Sequence, residues 1–188
     1  ITFLASANSI IYAGATPVLV DVHPETWTID PNCIEKAITK KTKAIMIVHI
    51  YGHPCHMDEI IKIAKANDFF IIEDCAEALG STYKGQPVGS FGDAAAFSFY
   101  GNKIITTGEG GMVLFPDRSN YEKAFLLRNH GMAEEKRYWH EVVGYNYRMT
   151  NLQAAVGVAQ MEQFDSLFQR RKRNYASYND NLKNLDYL

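Results

Sequence analysis

Apolar and polar positions alternate along the chain in blocks that change period. Leu4 to Tyr12 reads as a helix, and Gly14 stands where a C-terminal cap belongs. Pro17-Val18-Leu19-Val20-Asp21-Val22 is apolar and β-branched, which predicts a strand. Asn32 to Thr39 predicts a short helix with Ile34, Ala37 and Ile38 on one face. Ala44 to Ile50 is an almost continuous apolar run. Asp58 to Asn67 predicts an amphipathic helix, with Ile60, Ile63 and Ala64 at helical spacing and Asp58 at its start. Phe69-Phe70-Ile71-Ile72 is a second continuous run. Runs that are apolar on both faces suit strands covered by helices on both sides, as in parallel sheets. Ala94 to Phe99 and Met112 to Phe115 read as strands flanking a glycine-rich loop, and Glu122 to Asn129 as a helix. Leu152 to Phe168 predicts one longer helix capped by Thr150, with its apolar stripe in the core or at a dimer surface. Alternation of this kind gives an α/β fold with a doubly wound, mostly parallel sheet.

Composition narrows the picture. The chain has 188 residues, 47% hydrophobic, with 19 basic and 21 acidic side chains. That is long enough to bury a core, and too balanced in charge for a disordered chain. No basic excess argues for a nucleic-acid partner, and no apolar run predicts a membrane span. Cys33, Cys55 and Cys75 are three cysteines, which makes no disulfide framework and suits the reducing cytoplasm. The chain opens on Ile1 without Met and stops within the polar, helix-like stretch Tyr178 to Leu188. We expect a piece of a longer protein.

Open α/β sheets bind ligands at the carboxyl ends of their strands. Asp74 ends the run Ile71-Ile72-Glu73-Asp74. Taken alone it reads as a helix cap or turn residue; functionally it reads as a carboxylate facing a cationic ligand group. Glu77 lies three residues on. Lys103 follows the segment Ser98-Phe99-Tyr100-Gly101-Asn102 and precedes the turn Gly108-Glu109-Gly110-Gly111. Alone it reads as a surface lysine; partly desolvated, its amine becomes a Schiff-base nucleophile. A lysine, an acid and phosphate donors such as Ser98 are what pyridoxal 5′-phosphate (PLP) requires.

Three segments in order carry a resemblance: Glu73 to Ala78, Phe97 to Gly111, and Gly144 to Ala155. They resemble the DegT/DnrJ/EryC1/StrS family of PLP-dependent sugar aminotransferases, and the likeness runs from Phe3 to beyond Arg173. The resemblance implies a three-layer α/β/α large domain of the aspartate-aminotransferase type (fold type I). It implies Lys103 as the Schiff-base lysine, Asp74 on the pyridine nitrogen, Glu77 (often Gln in the family) at the ring hydroxyl and Ser98 at the phosphate. It further implies Phe3 stacked on the ring, Asn146 reaching the phosphate of a neighbouring subunit, and hence a homodimer. Lys103 to Gly111 together with Arg137-Tyr138-Trp139 most resembles members that aminate GDP-4-keto-6-deoxymannose with glutamate. The family's phosphate-gripping segment before Phe3 and its smaller C-terminal domain have no counterpart here, and 165–188 then reads as the helix leading toward that domain.

Other residues have competing readings. His49, His53, Cys55 and His56 mimic metal ligands but lack a zinc spacing, so packing is the simpler reading. Arg170 to Arg173 reads as a solvated helix face. Arg137 to His140 suits either a diphosphate-linked sugar or plain packing. His130 suits a helix C-terminus rather than a catalytic base. A sugar 3-dehydratase of the same fold would carry histidine in place of Lys103. A binding-only regulator would have no need of Lys103 and Asp74 together, and a nicotinamide site would need Gly-x-Gly-x-x-Gly between strand and helix.

Overall fold

A computed structural model of the chain describes residues 1–183 and Leu185. The chain forms two compact units, one of Ile1–Ser98 with Met112–Arg148, the other of Phe99–Gly111 with the segment from Met149 onward.

The first unit is built on a four-stranded sheet. Its strands are β1 (Ala44–Val48), β2 (Phe70–Asp74), β5 (Ala94–Ser98) and β6 (Gly111–Leu114), in the spatial order β1-β2-β5-β6. Between β2 and β5 the chain makes a small hairpin of β3 (Thr82–Tyr83) and β4 (Gln86–Pro87). Its turn places Lys84 and Gly85 at φ 49° and 84°, the left-handed pair that a two-residue hairpin needs. The β1–β2 and β2–β5 pairs are parallel, with Ile47 opposite Glu73, Val48 opposite Asp74 and Asp74 opposite Ala96.

Alternation along these strands sorts the side chains into two faces. Ile45 and Ile47 of β1 and Ile71 and Glu73 of β2 are buried; Met46, Val48, Ile72 and Asp74 are half-buried. The buried face meets α2 (Pro31–Ala37) and α3 (Met57–Asn67) through Ile34, Met57, Ile60, Ile63 and Ala64. Each such fully buried aliphatic side chain contributes roughly 1.5–3 kcal/mol. On the other face α1 (Leu4–Tyr12) reaches the sheet, Ser6 at Asp74 and Ser9 at Met46. Helices therefore lie on both faces, as the strand pattern predicts.

Several expectations need correction. Pro17 to Val22 is not a strand: only Val22 makes a ladder contact, an isolated bridge to Ile29. Val18 and Leu19 are exposed, and Val18 and Val20 line an apolar cavity of about 800 Å³ together with Ile45, Met46 and Ile72 instead of pairing with a strand. The expected Asn32–Thr39 helix starts one residue earlier, where Asp30 accepts the Asn32 N–H at 2.9 Å, and ends at Ala37 because Ile38 is extended. Asp58 lies in the first turn of α3 but does not cap it; the N-cap is His56. Helix α4 (Arg118–Arg128) begins four residues before Glu122, capped by Asp117 through the Asn120 N–H.

In the second unit the expected single helix from Leu152 to Phe168 is two, α5 (Asn151–Met161) and α6 (Phe164–Leu182). Gln163, at φ −104° and ψ 7°, leaves the helical region and starts α6 afresh. Thr150 does cap α5, in a reciprocal pair with Gln153 that satisfies two of the helix's first N–H groups. The helical stretch expected from Tyr178 ends at Leu182; Asn184 and residues 186–188 lie outside the described residues. No helix among the described residues is long and apolar enough to cross a membrane.

Candidate active site

The parallel strands β1, β2 and β5 end together, and the sequence places its acid there. Asp74 is the last residue of β2, between Val48 of β1 and Ala96 of β5. Among the described residues, each carboxylate oxygen has one donor. The Ala76 N–H donates to Oδ1 at 3.0 Å, and the Ser6 hydroxyl donates to Oδ2 at 2.6 Å. Two donors on two oxygens fix the plane of the carboxylate and leave further lone pairs for a ligand.

Ser98 ends β5, two residues past the partner of Asp74, so both lie at the same end of the sheet. Phe3 is the N-cap of α1 and is 74% exposed, so its ring face is open to a partner. Glu77 follows β2 in a loop, where its Oε2 accepts the Tyr51 N–H at 2.7 Å. That bond braces the turn after β1, in which Tyr51 is held at φ 52°. Asn146 is exposed and lies on an isolated bridge to Asn129, just past α4. Phe3, Asp74, Glu77, Ser98 and Asn146 all belong to the first unit.

Lys103 belongs to the second unit. It lies five residues past Ser98 in the chain, half-buried, in a turn closed by its own N–H to the Tyr100 carbonyl at 3.0 Å. The loop around it is tied down on both helices of that unit. Gln160 of α5 accepts the Thr106 N–H, Gln153 of α5 donates to the Glu109 carbonyl, and Arg171 of α6 donates to the Asn102 carbonyl. Arg170 to Arg173 are all exposed, as expected of a solvated face, and Arg171 adds this one bond to the lysine loop. Gly110 is required here, since a Cβ on it would fall 2.3 Å from the Thr107 hydroxyl.

Two features of the site were not singled out from the sequence. One is Ser6, a helical serine whose partner is 68 residues away. The other is Glu73, which faces away from Asp74 and is fully buried. Glu73 accepts N–H groups from Gly89, Phe91 and Gly92 at 2.7, 2.8 and 2.7 Å, and its Oε2 meets His49 Nε2 at 3.1 Å. Burial pushes the Glu73 carboxyl up, but the His49 bond and the three backbone donors outweigh it and hold the group below its ordinary value. His49 Nδ1 accepts the Cys55 N–H, so Nε2 carries the proton and donates to Glu73. Glu73 thereby pins the loop 89–92 to the strand that carries Asp74.

The metal-like cluster resolves into packing. His49 and Cys55 are buried and bonded to each other's segment, while His53 is exposed. His49, Glu73 and Cys75 do lie within 4.8 Å of one another. Both oxygens of Glu73 and both nitrogens of His49 are already engaged, and burial raises the Cys75 thiol far above the range of a metal-binding thiolate. His130 follows α4 at φ 61°, with its backbone N–H on the Tyr145 carbonyl and its backbone carbonyl bonded to His140 Nδ1. The loop Arg137–His140 is exposed, with Lys136 over the Trp139 ring and Arg137 over the Tyr138 ring, at 4.2 and 5.0 Å.

The GDP-perosamine synthase of Escherichia coli O157:H7 is 52% identical over 185 residues, covering 98% of this chain and 51% of the relative. Among solved structures, Helicobacter pylori PseC, an aminotransferase involved in pseudaminic acid biosynthesis, superposes with a TM-score of 0.95 at 34% identity, over 100% of this chain and 51% of its own. A Streptococcus pneumoniae chain solved in its PLP form superposes with a TM-score of 0.90 at 35% identity, over 97% of this chain and 52% of its own. The chain spans about half the length of the curated relatives it matches. The sequence profile of the family matches residues 1–188 in full. With a mostly parallel α/β sheet of fold type I and PLP as its cofactor, the chain belongs to the DegT/DnrJ/EryC1/StrS aminotransferase family.

Proposed function

We propose that the full-length protein transfers an amino group from L-glutamate to the keto carbon of a nucleotide-linked 4-keto-6-deoxy sugar, with GDP-4-keto-6-deoxymannose giving GDP-perosamine. The observation that carries the chemistry is Asp74, a carboxylate fixed by two donors at the end of a central parallel strand. The choice of sugar rests on the similarity to GDP-perosamine synthases.

The residues suit PLP on chemical grounds. Asp74 offers the anion that a protonated ring nitrogen needs, with lone pairs left after its two internal bonds. Ser98 offers a hydroxyl to the phosphate, Phe3 an open ring face, and Glu77 a carboxylate on the loop beyond Asp74. When bound, the cofactor supplies an electron-withdrawing ring that stabilises negative charge at the carbon bearing the amino group. Asp74 keeps the ring nitrogen protonated. Lys103 would hold the cofactor, and its amine would carry the proton from the α-carbon of the donor amino acid. Two half-reactions at one site make the kinetics ping-pong.

The basic and aromatic loop from Lys136 to Trp139 suits the diphosphate and base of a nucleotide sugar. Asn146, exposed after α4, completes the neighbouring subunit's phosphate site in a homodimer. The enzyme works in the cytoplasm, where nucleotide sugars feed polysaccharide assembly such as O-antigen. A panel of nucleotide keto-sugars with glutamate, read by mass, tests the substrate. The expected result is a GDP-linked amino sugar formed at least tenfold faster than any dTDP- or UDP-linked product. Preference for another nucleotide would overturn the substrate while leaving the reaction class standing.

A further inference from the structure

Helix α1 contains two serines that use their hydroxyls differently. Ser9 donates to the Ser6 carbonyl at 2.8 Å, the local bond that serines commonly make inside helices. Ser6 makes no such bond. It is the buried residue of α1, 8% exposed, and its hydroxyl crosses to strand β2 and donates to Asp74 Oδ2. At 2.6 Å this is a short, charge-assisted bond to an ionised acceptor. A serine weakens a helix interior relative to alanine, and a buried hydroxyl must find a partner. The gain that offsets both is the bond to Asp74.

The bond acts on the one degree of freedom that matters for a carboxylate. The Ala76 N–H holds Oδ1 through the backbone of the following turn, but a single donor leaves the group free to swing about its last torsion. Terminal torsions of this kind are soft. The second donor, from a different element, closes that freedom. Ser6 also stands one helical turn after Phe3, whose carbonyl its own N–H meets at 3.3 Å. One helix start therefore sets both an open aromatic ring and the orientation of the acid.

We infer that Ser6 is a positioning residue that holds the Asp74 carboxylate in one orientation toward the cofactor's ring nitrogen, an inference that rests on the reading of Asp74 given above. The test uses the full-length protein carrying Ser6→Ala, Ser6→Thr, Ser6→Cys or Asp74→Asn, with PLP itself as the probe. Affinity is read by titration, the electronic state by the absorbance of the bound cofactor, and the apo protein by thermal melting. Ser6→Ala should weaken PLP about tenfold, equivalent to about 1.4 kcal/mol, and shift the visible band. Ser6→Thr should restore both to within about twofold, since it keeps the donor. Ser6→Cys, near serine in size but a weak donor, should behave like Ser6→Ala and serves in its place if alanine unfolds the helix. If Ser6→Ala and Ser6→Cys bind PLP with unchanged affinity and spectrum while Asp74→Asn does not, Ser6 is only a packing residue and the inference falls. If Asp74→Asn also leaves affinity and spectrum unchanged, the reading of Asp74 fails and takes the inference with it.

Discussion

Lys103→Ala in the full-length protein should abolish transamination, with turnover falling at least about a thousandfold, in the range lost with a positioned proton-transfer group. Lys103→Arg is the sharper variant. It keeps the positive charge but cannot form the covalent bond or lose a proton near neutral pH. It should be as inactive as alanine. Neither change removes the backbone bonds of the loop, since Thr106, Glu109 and Asn102 are the residues tied to α5 and α6. The variants should therefore fold, and their PLP should wash out on dialysis. The assay is amino-sugar product by mass under single-turnover conditions. An arginine variant that keeps a tenth of the activity would make Lys103 a charge and not a nucleophile.

Glu73→Ala should have the largest effect on stability. The substitution leaves three backbone N–H groups and the His49 N–H without their acceptor, in a site with no exposure. Each buried donor left without its acceptor costs roughly 1–3 kcal/mol, so the loss is a large share of the roughly 5–15 kcal/mol that holds a domain together. Glu73→Gln should be almost as damaging despite its matching shape. Oε1 serves Phe91 and Gly92, and Oε2 serves His49 and Gly89, so an amide NH2 on either side must face two donors. The loop cannot readily retreat, because a Cβ at Gly92 would already fall 2.6 Å from the Ile71 carbonyl. The pH dependence has a definite sign. The carboxyl is held below its ordinary value in the fold, so the folded state binds fewer protons than the unfolded chain. Its contribution is complete above the ordinary carboxylate range and is lost as pH falls through the lowered folded value. Denaturant melts across acid pH should show that loss in the native sequence and not in Glu73→Gln. A Glu73→Gln variant of native stability would show that the cluster is not what pins the loop.

The contrast between Asp74 and Glu73 shows what the sequence makes legible. Both sit at the end of one apolar run. Asp74 could be singled out because a strand end in an open α/β sheet is where ligands bind, and because Lys103 supplied a chemical counterpart. Glu73 gave no such signal. Its partners come from a loop some sixteen residues on and from His49 just past the end of another strand, and period-two alternation says only that it faces the other way. Ser6 was hidden for the same reason, since a serine on a helix becomes a site residue only through tertiary contact. The helices and parallel strands were readable from local periodicity. The extended Pro17–Val22 segment was not, because strand identity needs a partner and the β-branched composition of Val18, Val20 and Val22 cannot provide one. The break at Gln163, between α5 and α6, lies inside a stretch whose apolar positions alone read as one helix.

The most direct test of the account is chemical. Full-length protein incubated with PLP is reduced with borohydride, digested, and its peptides mapped by mass. The expected result is a pyridoxyl adduct on Lys103, in the peptide that continues from β5. Full-length protein that binds PLP yet carries the adduct on another lysine, or none at all, would contradict it.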